Sequence, residues 1–447
     1  MSLPRYSKYK DSGAAAVGAV PHHWEIKPIK AVASINDDVL PETTDPTFEL
    51  AYVDIGSVSL DMGIEKTEAF TFKDAPSRAR RLVRHGDVIV STVRTYLKAI
   101  AAIAMPPENL VVSTGFAVVR PLDSVEPRFA KYALQGATFI DEVISRSTGV
   151  SYPAINASDL ARIALPVPPR GEQSAIAAFL DRETGKIDML IAEQEKLLGL
   201  LAEKRQATIS HAVTRGLNPD APMKDSGVAW LGEVPANWAV KQLKHLACPG
   251  TAITYGIVQA GPHFEGGIPY IKTSDMAGDS LPLDGYALTS PEIDAAYTRS
   301  KVRTGDLVIA IRATVGKCLP VPRELDGANL TQGTAKVSPG DGVVPAFLLA
   351  SLRSAAAQNY FESMAKGATF KEITLDALRR TPVLVPPLQE QSEIADFIDD
   401  EARKLDCLKA EVQRAIDLLK ERRSALIAEA VTGKIDVRNA VPQELAA

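Results

Sequence analysis

Cysteine is scarce in this chain: there are three in 447 residues, Cys248, Cys318 and Cys407, and no two form a CxxC pair. The scarcity excludes a disulfide framework and a cysteine zinc site, and each thiol is expected to be a small buried hydrophobe. No apolar run approaches the length of a membrane span, and the opening MSLPRYSKYKDSG lacks the hydrophobic stretch of a signal peptide, so a cytoplasmic location is expected. Signatures of catalysis are missing as well. There is no GxxxxGK[ST] run, since Gly316-Lys317-Cys318 has neither the upstream glycine nor the hydroxyl. The Asn/Asp-Pro-Pro-aromatic run that adenine methyltransferases need is absent, and Asn218-Pro219-Asp220 reads as a linker. His22-His23 stands beside Trp24 with no carboxylate or cysteine at ligand spacing. No catalytic residue and no metal site are assigned; the chain reads as a binder.

What is present is a duplication. Residues 149–188 read GVSYPAINASDLARIALPVPPRGEQSAIAAFLDRETGKID, and residues 367–406 read GATFKEITLDALRRTPVLVPPLQEQSEIADFIDDEARKLD. Gly149 pairs with Gly367, Ile155 with Ile373, Pro168-Pro169 with Pro386-Pro387, and Gln173 with Gln391, each 218 positions apart. The copy extends both ways: Lys10-Asp11-Ser12-Gly13 and Trp24 recur as Lys224-Asp225-Ser226-Gly227 and Trp238, and Ala212-Val213-Thr214 recurs as Ala430-Val431-Thr432. A period this long means whole modules in tandem rather than a solenoid.

Each module begins with a globular part that mixes helix and strand. Residues 50–60 and 86–93 look like strands in the first copy, and residues 268–276 and 305–311 fill the same roles in the second. A Gly-Asp turn opens the later strand of each pair, at Gly86-Asp87 and Gly305-Asp306. Each module ends in a helical stripe about forty residues long, with Ile176, Leu180, Ile187, Leu198 and Ile209 in the first and Ile394, Ile398, Leu405, Ile416 and Ile427 in the second. Proline pairs precede both stripes, and Gly216 and Gly433 stand where a C-terminal cap belongs. So long a stripe needs a partner face, and the other copy supplies one. An antiparallel coiled coil with pseudo-twofold symmetry is expected; parallel packing and a helix folded onto its own module are the alternatives.

The net charge of −5 excludes nucleic-acid binding by the whole surface, but charge is unevenly spread. Residues 76–131 hold nine Arg/Lys against four acids, and residues 297–323 hold six against one. One basic patch in the same place in each module fits phosphate contact, with a solvated basic face as the plain alternative. Candidates for phosphate positioning are Arg78, Arg80, Arg81, Arg84, Arg299, Lys301 and Arg303. Candidates for base reading are Ser91, Arg94, Tyr96, Arg312, Thr314 and Lys317, with Lys98 beside them. Between these landmarks residues 36–74 and 250–300 share little, which suggests two sites of one class reading two different ligands.

Paired modules that end in VPPxxEQ, at 167–173 and 385–391, and continue into one long helix resemble the specificity subunit of type I restriction-modification enzymes. KDSGVAWLGEVPANW, GDVIVSTVR, STGFAVVRP, GDLVIAIRATVGK and GATFKEI carry the same resemblance across nearly the whole chain. The first copy departs from the pattern at its start, where Ala16-Val17 stands in place of Trp230-Leu231. The resemblance implies a double-stranded DNA-binding scaffold with two target recognition domains, each reading half of a split, asymmetric sequence. The divisions are a first target recognition domain at 1–169, a spacer helix at 170–216, a second domain at 217–387, a second helix at 388–434 and a tail at 435–447. It also implies partners: two methyltransferase subunits that use S-adenosylmethionine and two restriction subunits that use ATP and Mg, with no cofactor on this chain and no membrane. The helices would set the gap between half-sites. A standalone enzyme and a scaffold for two protein ligands are the competing classes; binding of S-adenosylmethionine would mark the first, and absence of salt-dependent DNA binding the second.

Overall fold

The computed structural model describes residues 4–367 and 371–440; residues 368–370 of the GATFKEI run and 441–447 of the tail lie outside them. The chain divides into two compact units, residues 1–195 with 414–447, and residues 196–413. Each unit therefore holds one globular module, the near end of the helix that follows it and part of the other long helix. The long helices run Arg170–Arg215 and Leu388–Val431.

In the first unit a four-stranded antiparallel sheet is ordered Ile100–Ala102, Val88–Ser91, Phe116–Pro121, Ala33–Ile35, and a second runs Glu68–Thr71, Glu49–Val53, Leu110–Ser113, Ala79–Leu82 with one parallel pairing. Strand Val88–Ser91 is buried on both faces because its side chains alternate between two cores. Val88 and Val90 pack with Phe139, Ile140 and Leu160, whereas Ile89 packs with Val53, Val112 and Phe116. The second unit repeats the device in Leu307–Ala310: Leu307 and Ile309 join Phe347 and Phe361, while Val308 and Ala310 join Ile271 and Leu330. The mixed α+β class is as expected. Two strands are shorter than the sequence suggests, stopping at Val53 and Ile271, where short 3-10 turns Ile55–Ser57 and Thr273–Met276 take over.

The repeated Glu-Gln pair is what fastens helix to module. Gln173 is buried: its Oε1 accepts from the Glu126 amide at 2.8 Å, and its Nε2 donates to the carbonyls of Pro168 and Ser124 at 2.8 and 3.1 Å. Gln391 repeats this with the Val344 amide at 2.8 Å and the Pro386 and Gly342 carbonyls at 2.9 and 3.4 Å. The preceding glutamate holds the aromatic arm. Glu390 accepts from Trp238 Nε1 at 3.0 Å; Glu172 instead accepts from Tyr6 Oη and lies 2.8 Å from His23 Nε2. Burial and the Glu172 carboxylate push the Tyr6 phenol well above its ordinary range.

Within each unit the two helices pair antiparallel. In the first, Ile176, Ala177 and Leu180 pack against Ile427, Ala430 and Val431, and Arg423 Nε meets Asp188 Oδ1 at 2.8 Å. In the second, Ala212 and Val213 share a core with Ile394, and Arg205 meets Asp406 at 2.7 Å. Both cap glycines are left-handed, Gly433 at φ 70° and Gly216 at φ 73°. A Cβ on Gly433 would fall 2.3 Å from Pro21 Cδ and 3.1 Å from Trp24, so the helix end seats directly on the arm of the module.

The start of the tail packs on the first module: Ile435 and Val437 are buried with Tyr6 and Trp24, and Asp436 donates its amide to the Pro4 carbonyl at 2.8 Å. The Ala16-Val17 departure leaves the arm intact, since Tyr9–Asp11 pairs with Ala19–Pro21 as Met223–Asp225 pairs with Glu233–Pro235; Val17 is buried in the place of the half-buried Leu231, and exposed Ala16 stands where Trp230 stacks on Tyr360. Of the cysteines only Cys318 is buried, its thiol pushed up to about 12 by desolvation; Cys248 is half-buried and Cys407 exposed. Among the described residues no helix is long and apolar enough to cross a membrane.

Candidate nucleic-acid interface

The Gly-Asp turn fixes one end of the central strand in each module. Gly86 and Gly305 take φ 91° and 89°, conformations that favour glycine. The buried aspartate that follows accepts the backbone amide three residues earlier: Asp87 from Arg84 at 2.7 Å and Asp306 from Arg303 at 2.8 Å. Asp87 also takes a forked pair of 2.8 Å bonds from Arg120, whose guanidinium additionally holds the Asp38 carboxyl below its usual range.

At the other end the strand runs into a loop with the same hydrogen bonds in both modules. Thr92 and Ile311 donate to Gly115 and Gly333 at 2.8 and 2.9 Å, and accept from Ile155 and Ile373 at 2.9 and 3.0 Å. This equivalence places Arg94 opposite Ala313, not Arg312; Arg312 takes the place of Val93. Arg94 and Ala313 both have positive φ, 51° and 61°, as do Lys98 and Gly316 at 51° and 87°. The loops thus share their anchoring and a positive φ at either end, but the second is one residue shorter and the two differ in what they display. The first shows Arg94, Tyr96, Leu97 and Lys98; the second shows Ala313 and Thr314, with Val315 half-buried and Gly316 buried.

The candidates named from sequence fall at both ends of a strand roughly 13 Å long at 3.3 Å per residue, so they do not form one cluster. Arg78, Arg94, Tyr96 and Lys98 gather at the loop end of the first module, where the Arg78 carbonyl accepts from Thr114 at 2.8 Å. Arg94, Tyr96 and Lys98 are exposed there, as is Arg78. Arg84 lies at the turn end and pairs with Asp38 at 2.8 Å. Arg80 lies over Phe72, 4.8 Å from the ring centroid. Arg81 is half-buried; desolvation lowers its guanidinium pKa, and its Nε has no partner. In the second module Arg299 and Arg303 are exposed at the turn end and Thr314 at the loop end. Among the described residues Arg78, Arg94, Lys98, Arg299 and Arg303 have no carboxylate partner, which leaves their charge uncompensated by the protein.

Four assignments need correction. Ser91 is buried and its hydroxyl donates to the Val93 carbonyl, so it reads no base. Lys301 is tied to the buried Asp294 carboxylate. Arg312 bridges in register with Glu372, its Nε 3.0 Å from Oε2 though not aligned for a hydrogen bond, which makes it part of the loop's support. Lys317 lies 3.6 Å from Asp279 and lines a groove of about 480 Å³ with Arg205 and Lys409 of the long helices, so it turns away from the loop face. Sequence reasoning missed Tyr152. Its ring lies under the Arg94 guanidinium at 5.0 Å, and the signal was an aromatic repeated three residues after Gly149 and Gly367. Among the described residues no group of three His, Cys, Asp or Glu could hold a metal ion.

A duplicated scaffold that offers two differently dressed loops, with unpaired cations beside the loop in the first module and at the turn end of the strand in the second, defines a recognition protein. Comparison with known proteins gives the class its family. Residues 21–198 and 235–416 each match the type I restriction modification DNA specificity domain, and the chain belongs to that family. It is 25% identical over 412 residues to the EcoBI specificity subunit of Escherichia coli, covering 85% of each chain, and 24% identical over 456 residues to the putative MjaX specificity subunit of Methanocaldococcus jannaschii, covering 98% of this chain and 99% of that one. A chain solved in a study of complex assembly and conformational transition in the type I R-M system shares the fold at TM-score 0.68 and 23% identity, over 92% of this chain and 98% of that one. The protein is a specificity subunit of the type I restriction-modification class, a DNA-recognition component and not a catalytic one.

Proposed function

We propose that each module reads one half of a bipartite, asymmetric double-stranded DNA target, and that the chain scaffolds two methyltransferase and two restriction subunits in the cytoplasm. The observation that carries the reading is the shared anchoring of the loops with unshared side chains: Arg94, Tyr96 and Lys98 in one module against Ala313 and Thr314 in the other. A common anchoring presents both faces to the same kind of ligand, and different side chains select different base edges. Arg78, Arg299 and Arg303 supply sequence-independent attraction to phosphate. S-adenosylmethionine, ATP and Mg belong to the partners in this reading, and the chain itself binds none of them.

Duplex binding at a series of salt concentrations tests the proposal. Neutralising Z phosphates gives a slope of log K against log salt near −0.9Z, so a slope of several units is expected. Salt-independent binding, or methylation by this polypeptide free of partners, would refute it.

A further inference from the structure

The loop face of the first module carries more apolar surface than base-edge reading needs. Tyr96 is 53% exposed, Leu97 45%, Tyr152 66% and Val150 fully exposed. They sit on two segments held side by side: Val93 bridges to Ala154, the Thr95 amide donates to the Pro153 carbonyl at 3.4 Å, and Thr95 Oγ1 lies 2.8 Å from Ser147 Oγ. Beneath the exposed residues Thr95 is buried, so the tip is apolar and its base is fixed. Positive φ at both Arg94 and Lys98 bends the intervening three residues outward into a tight turn. Soluble proteins seldom leave apolar tips of this kind bare without a ligand to cover them.

Charge decides which ligand. The tip is flanked by Arg94 and Lys98, exposed and without a carboxylate partner among the described residues. The Arg94 guanidinium lies over one face of Tyr152, 5.0 Å from the ring centroid, and the ring is 66% exposed, open to a second flat partner. Two cations on either side of aliphatic and aromatic side chains match a duplex in which phosphates flank a base step. An apolar protein surface would leave both cations uncompensated.

We propose that Tyr96 and Leu97 act as a wedge that enters a base step within or beside the first half-site, and that Tyr152, braced by Arg94, receives the unstacked base. This rests on the reading of the chain as a DNA specificity subunit and adds a distortion to it. The equivalent second-module residues Thr314 and Val315 are smaller and offer no aromatic ring at that turn. Recognition by the first module would then depend on how readily the wedged step unstacks, favouring flexible pyrimidine–purine steps at a position where no hydrogen bond reads the base.

The test uses the full chain assembled with its modification subunits and duplexes containing its own target, identified from the methylated motif of the host genome. 2-Aminopurine is placed in turn at each position in and next to the first half-site, leaving out the adenine that is methylated and so extruded for chemistry. The expected result is a rise in fluorescence at one step, lost in the Tyr96→Ser/Leu97→Ser double variant while the salt slope and the second half-site are kept; affinity for the intact target falls about tenfold. Both side chains are exposed, and a melting curve matching that of the parent chain confirms that the variant folds. No fluorescence rise at any position, or a rise the double variant keeps, overturns the wedge while leaving DNA recognition standing. Loss of assembly with the modification subunits in the double variant overturns it too, because the tip would then be a protein contact. Failure of the assembled parent complex to bind its target would remove the functional reading itself.

Discussion

Replacing Gln391 with leucine should separate the structural meaning of the Glu-Gln motif from any role in DNA reading. The side chain is fully buried, and it is the partner of the Val344 amide at 2.8 Å and the Pro386 carbonyl at 2.9 Å, with a weaker bond to the Gly342 carbonyl at 3.4 Å. Leucine fits the volume but strands both close backbone groups, at about 1–3 kcal/mol for each buried group left unpaired. A loss of roughly 2–6 kcal/mol follows for the second unit. For a unit of this size each kcal/mol moves the midpoint about 2–4 °C, so its melting point should fall by roughly 4–24 °C. Tryptophan fluorescence reports the event, since Trp230 and Trp238 lie in that unit and Trp24 in the other. Gln389→Leu is the control: Gln389 is exposed and bonds only Glu393 in its own helix. If Gln391→Leu melted with the control, the claim that this glutamine fastens helix to module would be wrong.

Arg94→Ala should weaken target binding by about 1–3 kcal/mol in a titration at fixed salt. Arg312→Ala, which removes the support from Glu372 and no base contact, should leave affinity unchanged and lower the melting point instead. Gly433→Ala should destabilise the first unit more than Gly216→Ala does the second: both pay about 1–2 kcal/mol for a left-handed Cβ, but only at Gly433 does that Cβ fall 2.3 Å from Pro21, against 3.2 Å from Trp238 at Gly216. Calorimetry of the two variants would check the order. Four helix-favouring residues inserted after Leu198, with a matching insertion in the antiparallel partner helix, should lengthen the preferred spacer by about one to two base pairs, read from the methylated motif.

The duplication made most of the fold legible, because each landmark was checked against its copy. The Pro-Pro pair and the helical stripe recur 218 positions on and the cap glycine 217, and all three are built as expected. Burial was harder to read. Ser91 has the polarity of a base reader, yet it follows Val90 in a strand packed on both faces and satisfies itself locally. Arg312 follows a Gly-Asp strand in a basic stretch as Arg94 does, but the ladder places it against Glu372, one residue before the exposed position. Charge partners distant in sequence, such as Asp294 for Lys301 and Asp38 for Arg84, decide which cations remain free. Tyr152 was hidden for the opposite reason: its segment was read as part of the repeat, although its ring is displayed and not packed.

Exchanging residues 29–163 for the same segment of a relative tests the central claim most directly. The exchange leaves Trp24, Gln173 and Gly433 in place, and the groups that Gln173 bonds inside the exchanged segment are main-chain ones at positions 124 and 126, which a relative's segment supplies as well. Sequencing of methylated sites in cells carrying the hybrid and its modification subunits should show one half of the target replaced and the other unchanged. A motif altered in both halves, or in neither, would contradict the account of two modules that each read one half of the DNA target.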